Sequence, residues 1–335
     1  MIMAIPEKPD SRARRVKLTC RHDFRLIPKP PFAFDATVNK PSHFPAPTEE
    51  CRPGCFWNTT LFRDHLLGLR LRNSGDTDHP SVQLSVWSEA PLPASVLDPL
   101  PQEIAFRYNL QSDLREFRRL MRGDALTRGI WRRRRGLRSS CAYSLYELLM
   151  ISIVLQNATV RRTVQMLNNL LNAFGQVVAF DGRELCSFWQ PGLLSRARDS
   201  RLRDLRVGYR ARTLSRVSKA FARGRIDPEE WRALSNTDLK NQLLSIYGVG
   251  PASAGILMFE CFHRHEVVDH IPPWERKIFA KVLYNKESVE EERIINDARG
   301  RWGDYAALAL HYIFEDLFWR HSKRTIPWLS NLIRL

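Results

Sequence analysis

Short runs in which apolar and polar residues alternate mark the N-terminal part of the chain. Residues 67–71 and 82–87 carry the clearest alternation, and the segment Asn73-Ser74-Gly75-Asp76 lies between them. A period of two is typical of strands that bury one face, and a cluster of Asn, Ser, Gly and Asp is typical of a turn. The pattern predicts a β-rich domain with an antiparallel sheet over residues 21–108, preceded by a flexible basic segment over residues 1–20.

After Tyr108 the apolar residues recur at the spacing of a helix face. The pattern predicts helices over residues 113–121, 144–156, 159–174, 196–206, 210–223, 236–247, 252–262, 274–284 and 303–321. The expected fold class is α+β, in which the antiparallel β domain is followed by an all-helical domain over residues 109–335. Aromatic residues recur at helical spacing near the C-terminus and are expected in the core, with one wall of a ligand pocket as the alternative: Tyr305, Tyr312, Phe314, Phe318 and Trp319.

The charge balance of the chain indicates what kind of partner it binds. The chain has 52 Lys and Arg against 36 Asp and Glu, which gives a net charge of +16. Such a surplus favours a polyanion, either nucleic acid or an acidic membrane face. No apolar stretch reaches the roughly 18 to 20 residues of a membrane span, and no secretory signal is evident. We therefore expect an intracellular protein that reaches DNA and does not bind a membrane.

The six cysteines do not suggest a disulfide framework. They are scattered along the chain, and in a reducing compartment we expect them to be thiols. Cys51 and Cys55, with Cys20 and His22 nearby, leave a zinc site as a weaker alternative. The sequence has no cluster of four cysteines near the C-terminus, so we do not expect an iron–sulfur centre.

The segment that joins helices 236–247 and 252–262 carries the strongest chemical signal. Gly248 tolerates the positive φ that ends a helix, Val249 can pack between the helices, and Gly250 permits a tight turn. The exposed amides of this turn, together with the helix N-terminus around Ala252, form a cradle for a phosphate. An ordinary connection between helices is the alternative, and the basic charge favours phosphate.

Asp269 follows this hairpin, after Val267 and Val268 and ahead of the helix predicted from Trp274. One interpretation is a helix cap. The other is a carboxylate that stabilises positive charge developing at a sugar carbon or activates a water, as carboxylates do in glycoside hydrolysis.

With this hairpin and aspartate, the chain resembles the helix-hairpin-helix (HhH-GPD) DNA glycosylase superfamily over most of residues 20–325. The nearest branches in this resemblance are the 8-oxoguanine and alkylpurine glycosylases, which add an N-terminal β domain. Residues 32–37, Ser42-His43-Phe44 and Phe56-Trp57 are similar to the opening of that domain. The glycine that reads oxidised guanine in the family is replaced here by Pro41 or a neighbour. The resemblance implies a base-excision-repair enzyme whose partner is double-stranded DNA with a damaged base.

The resemblance also assigns DNA contacts. Asn157, in the segment 155–159, would fill the hole left by a flipped base, although an Asn/Thr helix cap is the alternative. Tyr209 would stack beside the gap, and Arg210 and Arg162 would hydrogen-bond the orphaned partner base. For Arg162 a solvated or phosphate-facing role is equally open. Among the basic runs, 201–225 is the better backbone contact, whereas Arg132 to Arg135 is as well explained as a solvated face.

Two positions depart from the family pattern. Bifunctional members carry a lysine just past the hairpin, and the matching residue here is Ala252, so we expect a monofunctional enzyme that uses water. Pro272 and Pro273 follow Asp269 and displace Trp274 by about one residue from the family's spacing, which leaves a non-catalytic lesion-binding protein as the alternative. By the same resemblance, carbonyls of Leu244, Ile246 and Val249 hold a monovalent cation. No cofactor is required, and a monomer is expected.

Overall fold

The computed structural model describes residues 14–44 and 46–333. The strands are β1 Arg15–Lys17, β2 Cys20–Leu26, β3 Glu49–Arg52, β4 Cys55–Phe62, β5 His65–Asn73, β6 Val82–Ser88, β7 Gln176–Phe180 and β8 Arg183–Ser187. The predicted N-terminal antiparallel sheet is confirmed: β2 to β6 pair in the order β2-β6-β5-β4-β3, all antiparallel.

Local chemistry explains why this sheet has the register it has. Arg63 and Asp64 join β4 to β5, and both have positive φ (46° and 63°), as a two-residue hairpin that matches the twist of the strands requires. Alternate residues of β5, including Leu67 and Leu69, are buried against the short helices that follow the sheet. One apolar face is therefore covered, which is what the alternation predicted.

A second, three-stranded sheet was not predicted. It has the order β1-β7-β8, with β1 parallel to β7. The ring of Phe180 lies against β5 so closely that a Cβ at Gly68 would be 2.6 Å from it. The region 109–335 is therefore not all-helical, which corrects the prediction. The missed signal was Asp181-Gly182, whose positive φ values (49° and 71°) form the tight turn between β7 and β8.

The same sheet includes part of the N-terminal segment. Residues 15–17 form a strand on the edge of β7, within the segment 1–20 whose flexibility stays a prediction. Residues 1–13 lie outside the described residues. The division into domains at residue 108 stays a prediction.

The helices carry most of the remaining chain. They are α1 Phe34–Val38, α2 Ala94–Leu97, α3 Leu100–Arg107, α4 Arg115–Gly123, α5 Arg128–Arg134, α6 Leu145–Leu155, α7 Val160–Phe174, α8 Pro191–Ser195, α9 Asp199–Asp204, α10 Arg210–Ala222, α11 Pro228–Trp231, α12 Asn236–Ser245, α13 Pro251–Phe262, α14 Pro273–Tyr284, α15 Glu291–Trp302, α16 Ala306–Lys323 and α17 Pro327–Leu332. The predicted helix 196–206 was wrong in extent, since only α9 lies within it, and α15 was missed.

The helices enclose two separate apolar cores. Buried side chains of α6, α7, α10, α12 and α13 form one core, and those of α4, α5, α14, α15 and α16 form the other. Val267 packs against the first core and Val268 belongs to the second. Asp269 therefore follows the point where the chain crosses from one core to the other.

Two chemical expectations can be compared with residues 14–44 and 46–333. No helix there is long and apolar enough to cross a membrane. No group of three or more His, Cys, Asp or Glu residues is arranged to hold a metal ion, so the zinc alternative has no support in that part of the chain.

Candidate active site and nucleic-acid interface

The hairpin is formed by α12, residues 246–250 and α13. The hydroxyl of Ser235 caps α12 by accepting a hydrogen bond from the amide of Asp238 (3.1 Å), so the helix begins where the sequence predicted. Val249 is buried in the first core, and its amide donates to the carbonyl of Ile246 (3.0 Å). The turn is therefore fixed by packing on one side and by a backbone hydrogen bond on the other.

The two glycines of the hairpin have different roles. Gly248 has φ +85°, and a Cβ there would lie 2.4 Å from the Cγ2 of Thr213 on α10. Gly250 has an ordinary φ of −98° and caps α13, with Pro251 at its first position. Among the described residues, apart from its neighbours in the chain, no heavy atom lies within 4 Å of the position that a Cβ on Gly250 would take. Gly248 is thus required by the fold, whereas Gly250 leaves open space beside a helix N-terminus, where a phosphate can approach.

Gln156 joins the hairpin to the loop 156–159 between α6 and α7. Its side-chain amide donates to the carbonyl of Gly248 (2.9 Å), and its own carbonyl accepts a hydrogen bond from the guanidinium of Arg210. Arg210 is buried. The structure therefore places Arg210 beneath this loop as a support, and its expected role at an orphaned base stays a prediction.

Asn157 lies at the exposed tip of the loop, where a wedge was expected. Its φ is +48°, a left-handed conformation that asparagine tolerates better than most residues. Tyr209 is 65% exposed beside it, with its hydroxyl 3.5 Å from the Nδ2 of Asn157. The hydroxyl of Thr159, and not Asn157, caps α7 by accepting from the amide of Arg162. Asn157 and Tyr209 thus form one protrusion.

Arginines surround this protrusion. Arg162 is exposed and donates to Gln165 (2.6 Å) and to the carbonyl of Arg206 (2.6 Å). On α10, Arg216 lies over the half-exposed ring of Tyr247 at 4.1 Å, next to the hairpin. Arg212 is also exposed on this helix. The basic surface is therefore continuous with the hairpin in the way a nucleic-acid backbone requires.

The run Arg132 to Arg135 has a different use. Arg133 and Arg134 both bind Asp316, a nearly fully buried carboxylate on α16, at 2.7 and 3.0 Å, and Arg135 pairs with Asp78. These three arginines pair with carboxylates elsewhere in the fold, a structural use that neither interpretation included.

Asp269 is held by two cations. The Nζ of Lys240 on α12 lies 2.5 Å from its Oδ2, and a guanidinium nitrogen of Arg299 on α15 lies 2.9 Å from its Oδ1. Its side chain is 39% exposed. Neither cation was identified from the sequence: Lys240 precedes the hairpin, and Arg299 lies on the helix that was missed.

The segment after Asp269 is anchored to α15. The amide of Ile271 donates to Oε1 of Glu291 (2.7 Å), and Nδ1 of His270 lies 2.8 Å from the same oxygen. α14 begins at Pro273 with Pro272 as its N-cap. Asp269 is therefore not the cap of α14, so that interpretation of the residue was wrong.

Ala252 lies in the first turn of α13 and is partly exposed, with no nucleophilic group. Lys240 is the amine in contact with Asp269. Lys240 lies six residues before Ile246, which is about 9 Å along the helix axis at 1.5 Å per residue. The lysine near the carboxylate thus approaches from a different element than in the family's bifunctional members.

The carbonyls expected around a cation are only partly free. That of Ile246 accepts the amide of Val249, and a carbonyl oxygen has a second lone pair for a cation. Leu244 lies in the last turn of α12, where carbonyls lack partners within the helix. The residues fit a monovalent cation, and the site stays a prediction.

With this hairpin, the loop and the sheet domain, the molecule has the fold of the helix-hairpin-helix DNA glycosylases. It superposes on a 3-methyladenine DNA glycosylase from Archaeoglobus fulgidus with a TM-score of 0.73 at 16% identity, covering 90% of this chain and 99% of that one. An 8-oxoguanine glycosylase/lyase from Clostridium acetobutylicum, in complex with double-stranded DNA that contains cytosine opposite 8-oxoguanine, gives a TM-score of 0.65 at 15% identity and covers 92% and 99%.

Sequence comparison leads to the same class. A probable N-glycosylase/DNA lyase from Methanothermobacter thermautotrophicus is 23% identical over an alignment of 245 positions that covers 68% of this chain and 76% of the relative. A DNA-3-methyladenine glycosylase from Bacillus subtilis is 20% identical over 212 residues, or 63% and 70%. No protein-family model matches the chain. The relatives and structural neighbours are DNA glycosylases of the helix-hairpin-helix type, which confirms the predicted superfamily.

Proposed function

We propose that this protein is a base-excision-repair DNA glycosylase that flips a damaged purine, alkylated or oxidised, out of the duplex and hydrolyses its N-glycosidic bond. One observation carries the proposal: Gln156 ties the loop of Asn157 to the carbonyl of Gly248, so the protrusion and the phosphate cradle form one rigid unit. A wedge and a backbone grip must be held in register to keep a base extruded. The names of the relatives, for 3-methyladenine and 8-oxoguanine, support the class of substrate.

The surface divides the work among named residues. The amides of Gly250 and Ala252 bind a phosphate, since that of Val249 already donates to the carbonyl of Ile246. Asn157 and Tyr209 fill the gap, and Arg162 follows the backbone. Tyr209 supplies an exposed aromatic face for stacking. Arg210 acts from beneath, by holding the loop.

Asp269 carries the chemistry in this proposal. The bond between the purine nitrogen and C1′ breaks with its electron pair leaving on the base, and the carboxylate stabilises the oxocarbenium-like sugar. Water then forms the bond to C1′ and gives a proton to the departing base, or to solvent when the base leaves as a neutral molecule. Lys240 and Arg299 fix the carboxylate, and each of its oxygens keeps a lone pair for the sugar or the water.

The enzyme is monofunctional in this proposal because Ala252 offers no amine to attack C1′. It needs no cofactor, and the hairpin carbonyls of Leu244, Ile246 and Val249 bind at most a structural cation. It acts as a monomer on double-stranded DNA.

A second function is favoured by the same ion pairs. Two cations already neutralise Asp269, and Pro272 and Pro273 follow it at the start of α14, so a protein that binds lesions without cutting them would carry this geometry as well.

One assay separates the two functions. Duplexes with single alkylated or oxidised purines are incubated with the protein and then treated with hot alkali, which breaks the strand at an abasic site. The glycosylase proposal predicts breaks with at least one lesion, their loss in Asp269→Asn with lesion binding kept, and full activity in Asp98→Asn, an exposed control. Lesion binding without breaks on any duplex supports the second function.

A further inference from the structure

A buried polar cluster lies where residues 40–42 meet α13 and α16. The Nζ of Lys40 donates to the carbonyl of Ser140 (2.6 Å) and lies 3.3 Å from Oε2 of Glu260. The hydroxyl of Ser42 donates to Oε1 of Glu315 (2.5 Å). Lys40 is buried, and Glu315 is 1% exposed. Charged side chains this deep in a protein need partners.

Two atoms of this cluster have none within the described part of the chain. They are the second carboxylate oxygen of Glu315 and the Nε2 of His311, one helical turn before it on α16. A buried polar atom without a partner is unfavourable, and most such atoms in folded proteins are bonded. The second oxygen of Glu315 can therefore accept a hydrogen bond from a bound ligand.

The cluster also contains more carboxyl groups than cations. Glu260 interacts electrostatically with Glu315 and with Glu275 on α14, and Lys40 is the cation paired with Glu260, since Arg134 is bound to Asp316. Burial, with Glu260 adding to it, raises the pKa of Glu275 and of Glu315 to about 7. An incoming positive charge would offset this repulsion by favouring the ionised carboxylates.

The cluster is reached from the hairpin along α13. Ala252, Ile256 and Glu260 follow one another at intervals of four and share a helix face; Ile256 is 37% exposed and the side chain of Glu260 is 16% exposed. Trp274 and Phe314, with ring centroids 5.5 Å apart, add an aromatic wall on the side of α14 and α16. Glu260 thus lies two helical turns beyond Ala252 on one face of α13, and its side chain is not fully buried.

We propose that Glu260 and Glu315, set in place by Lys40 and Ser42, determine specificity by accepting hydrogen bonds from the flipped base, and that they select a purine carrying a positive charge. This rests on the proposed function. Alkylation at the ring nitrogens N3 or N7 makes a purine cationic, whereas oxidation at carbon leaves it neutral. A cation removed from water needs a counter-charge, which the carboxylates supply, while a neutral base gains only hydrogen bonds.

The test compares two substrates across three variants of the full-length protein. Duplex DNA treated with dimethyl sulfate carries cationic N-methylpurines, and a second duplex carries one neutral 8-oxoguanine; released bases are measured by chromatography under single-turnover conditions. Glu260→Gln and Glu315→Gln keep shape and acceptor capacity but remove charge. Glu292→Gln, exposed on α15, is the control.

The wild type is expected to release N-methylpurines faster than 8-oxoguanine. Glu260→Gln should lower the ratio of the two rates by about tenfold or more, the scale of a hydrogen bond to a charged group. Glu292→Gln should leave the ratio unchanged. Should Glu315→Gln fail to fold, as a melting curve would show, Glu260→Gln still decides the matter.

Two failures are distinguishable. If the wild type releases bases but Glu260→Gln leaves the ratio unchanged, or if 8-oxoguanine is preferred, the carboxylates do not select charge and the proposed function stands. If the wild type releases no base from either duplex, the proposed function fails and the inference falls with it.

Discussion

The Nζ of Lys240, on α12, lies 2.5 Å from the Oδ2 of Asp269, which stands in the segment between α13 and α14. This pair and the Arg299 contact on the other oxygen fix the direction of the carboxylate. A carboxylate that must stand beside C1′ loses rate when its orientation is lost.

Lys240→Met is therefore expected to lower the single-turnover rate of base excision by roughly 10- to 100-fold, on the scale of a displacement of about 1 Å. The pair is half-exposed, so the melting temperature should hardly change. Lys277→Met, exposed on α14, is the control. A rate that rises in Lys240→Met would show that the pair restrains Asp269 instead of positioning it.

Borohydride trapping on abasic or lesion-bearing DNA addresses the chemistry of the same lysine. We expect no covalent complex, because the position after the hairpin is Ala252 and Lys240 is engaged by Asp269. A trapped complex in the wild type that is absent in Lys240→Met would overturn the monofunctional proposal and identify the amine.

Much of the hairpin was predictable because its geometry is local. Gly248 needs a positive φ and Pro251 suits a first helical turn, and both requirements can be read from neighbouring residues. The partners of Asp269 were not predictable, because Arg299 reaches it only through the packing of α15 on α14. The position of Arg210 was not predictable for the same reason: whether an arginine lies above or beneath a loop depends on which side of α10 faces the core.

The two hairpin glycines offer a matched pair of substitutions. Gly248→Ala should destabilise the fold by roughly 1 to 3 kcal/mol, because alanine is strained at φ +85° and its Cβ meets Thr213. Gly250→Ala should leave the free energy of unfolding nearly unchanged but weaken DNA binding, since its Cβ fills only the open space beside the cradle. Urea unfolding and a DNA-binding titration measure both, and equal effects of the two substitutions on stability would contradict the separate roles.

The basic surface on α10 should be visible in the salt dependence of binding. Arg212→Gln and Arg216→Gln are each expected to reduce the slope of log binding constant against log salt by about 1, because each variant leaves one DNA phosphate without its arginine. Arg133→Gln, which breaks an ion pair with buried Asp316, should lower the melting temperature and leave the slope unchanged. An unchanged slope in both α10 variants would show that this helix does not contact DNA phosphates.

Acid should destabilise the fold through histidines near the junction of α13 and α3. Burial lowers the pKa of His263 from 6.5 to about 3 and that of His265 to about 4. Below pH 6.5 these histidines bind protons in the unfolded chain but stay neutral in the folded chain. The stability that they contribute is therefore fully present above pH 6.5 and is lost as the pH falls towards 3. Between pH 7.5 and 5.5 each histidine should contribute a loss of roughly 1 kcal/mol.

His263→Asn tests this contribution, since asparagine also tolerates the left-handed φ of 54° at this helix end. The unfolding free energy of the variant should fall less between pH 7.5 and 5.5 than that of the wild type, as urea titrations at the two values would show. A parallel fall in the two proteins would mean that His263 is protonated in the folded state.

The claim that Asp269 drives base release is tested most directly by single-turnover excision with Asp269→Asn on the lesion that the wild type cuts fastest. The substitution keeps the shape of the side chain and removes its charge. We predict that base release falls by about 100-fold or more while binding to the same duplex is kept. Release at the rate of the wild type would contradict the account and leave the carboxylate as a structural partner of Lys240 and Arg299.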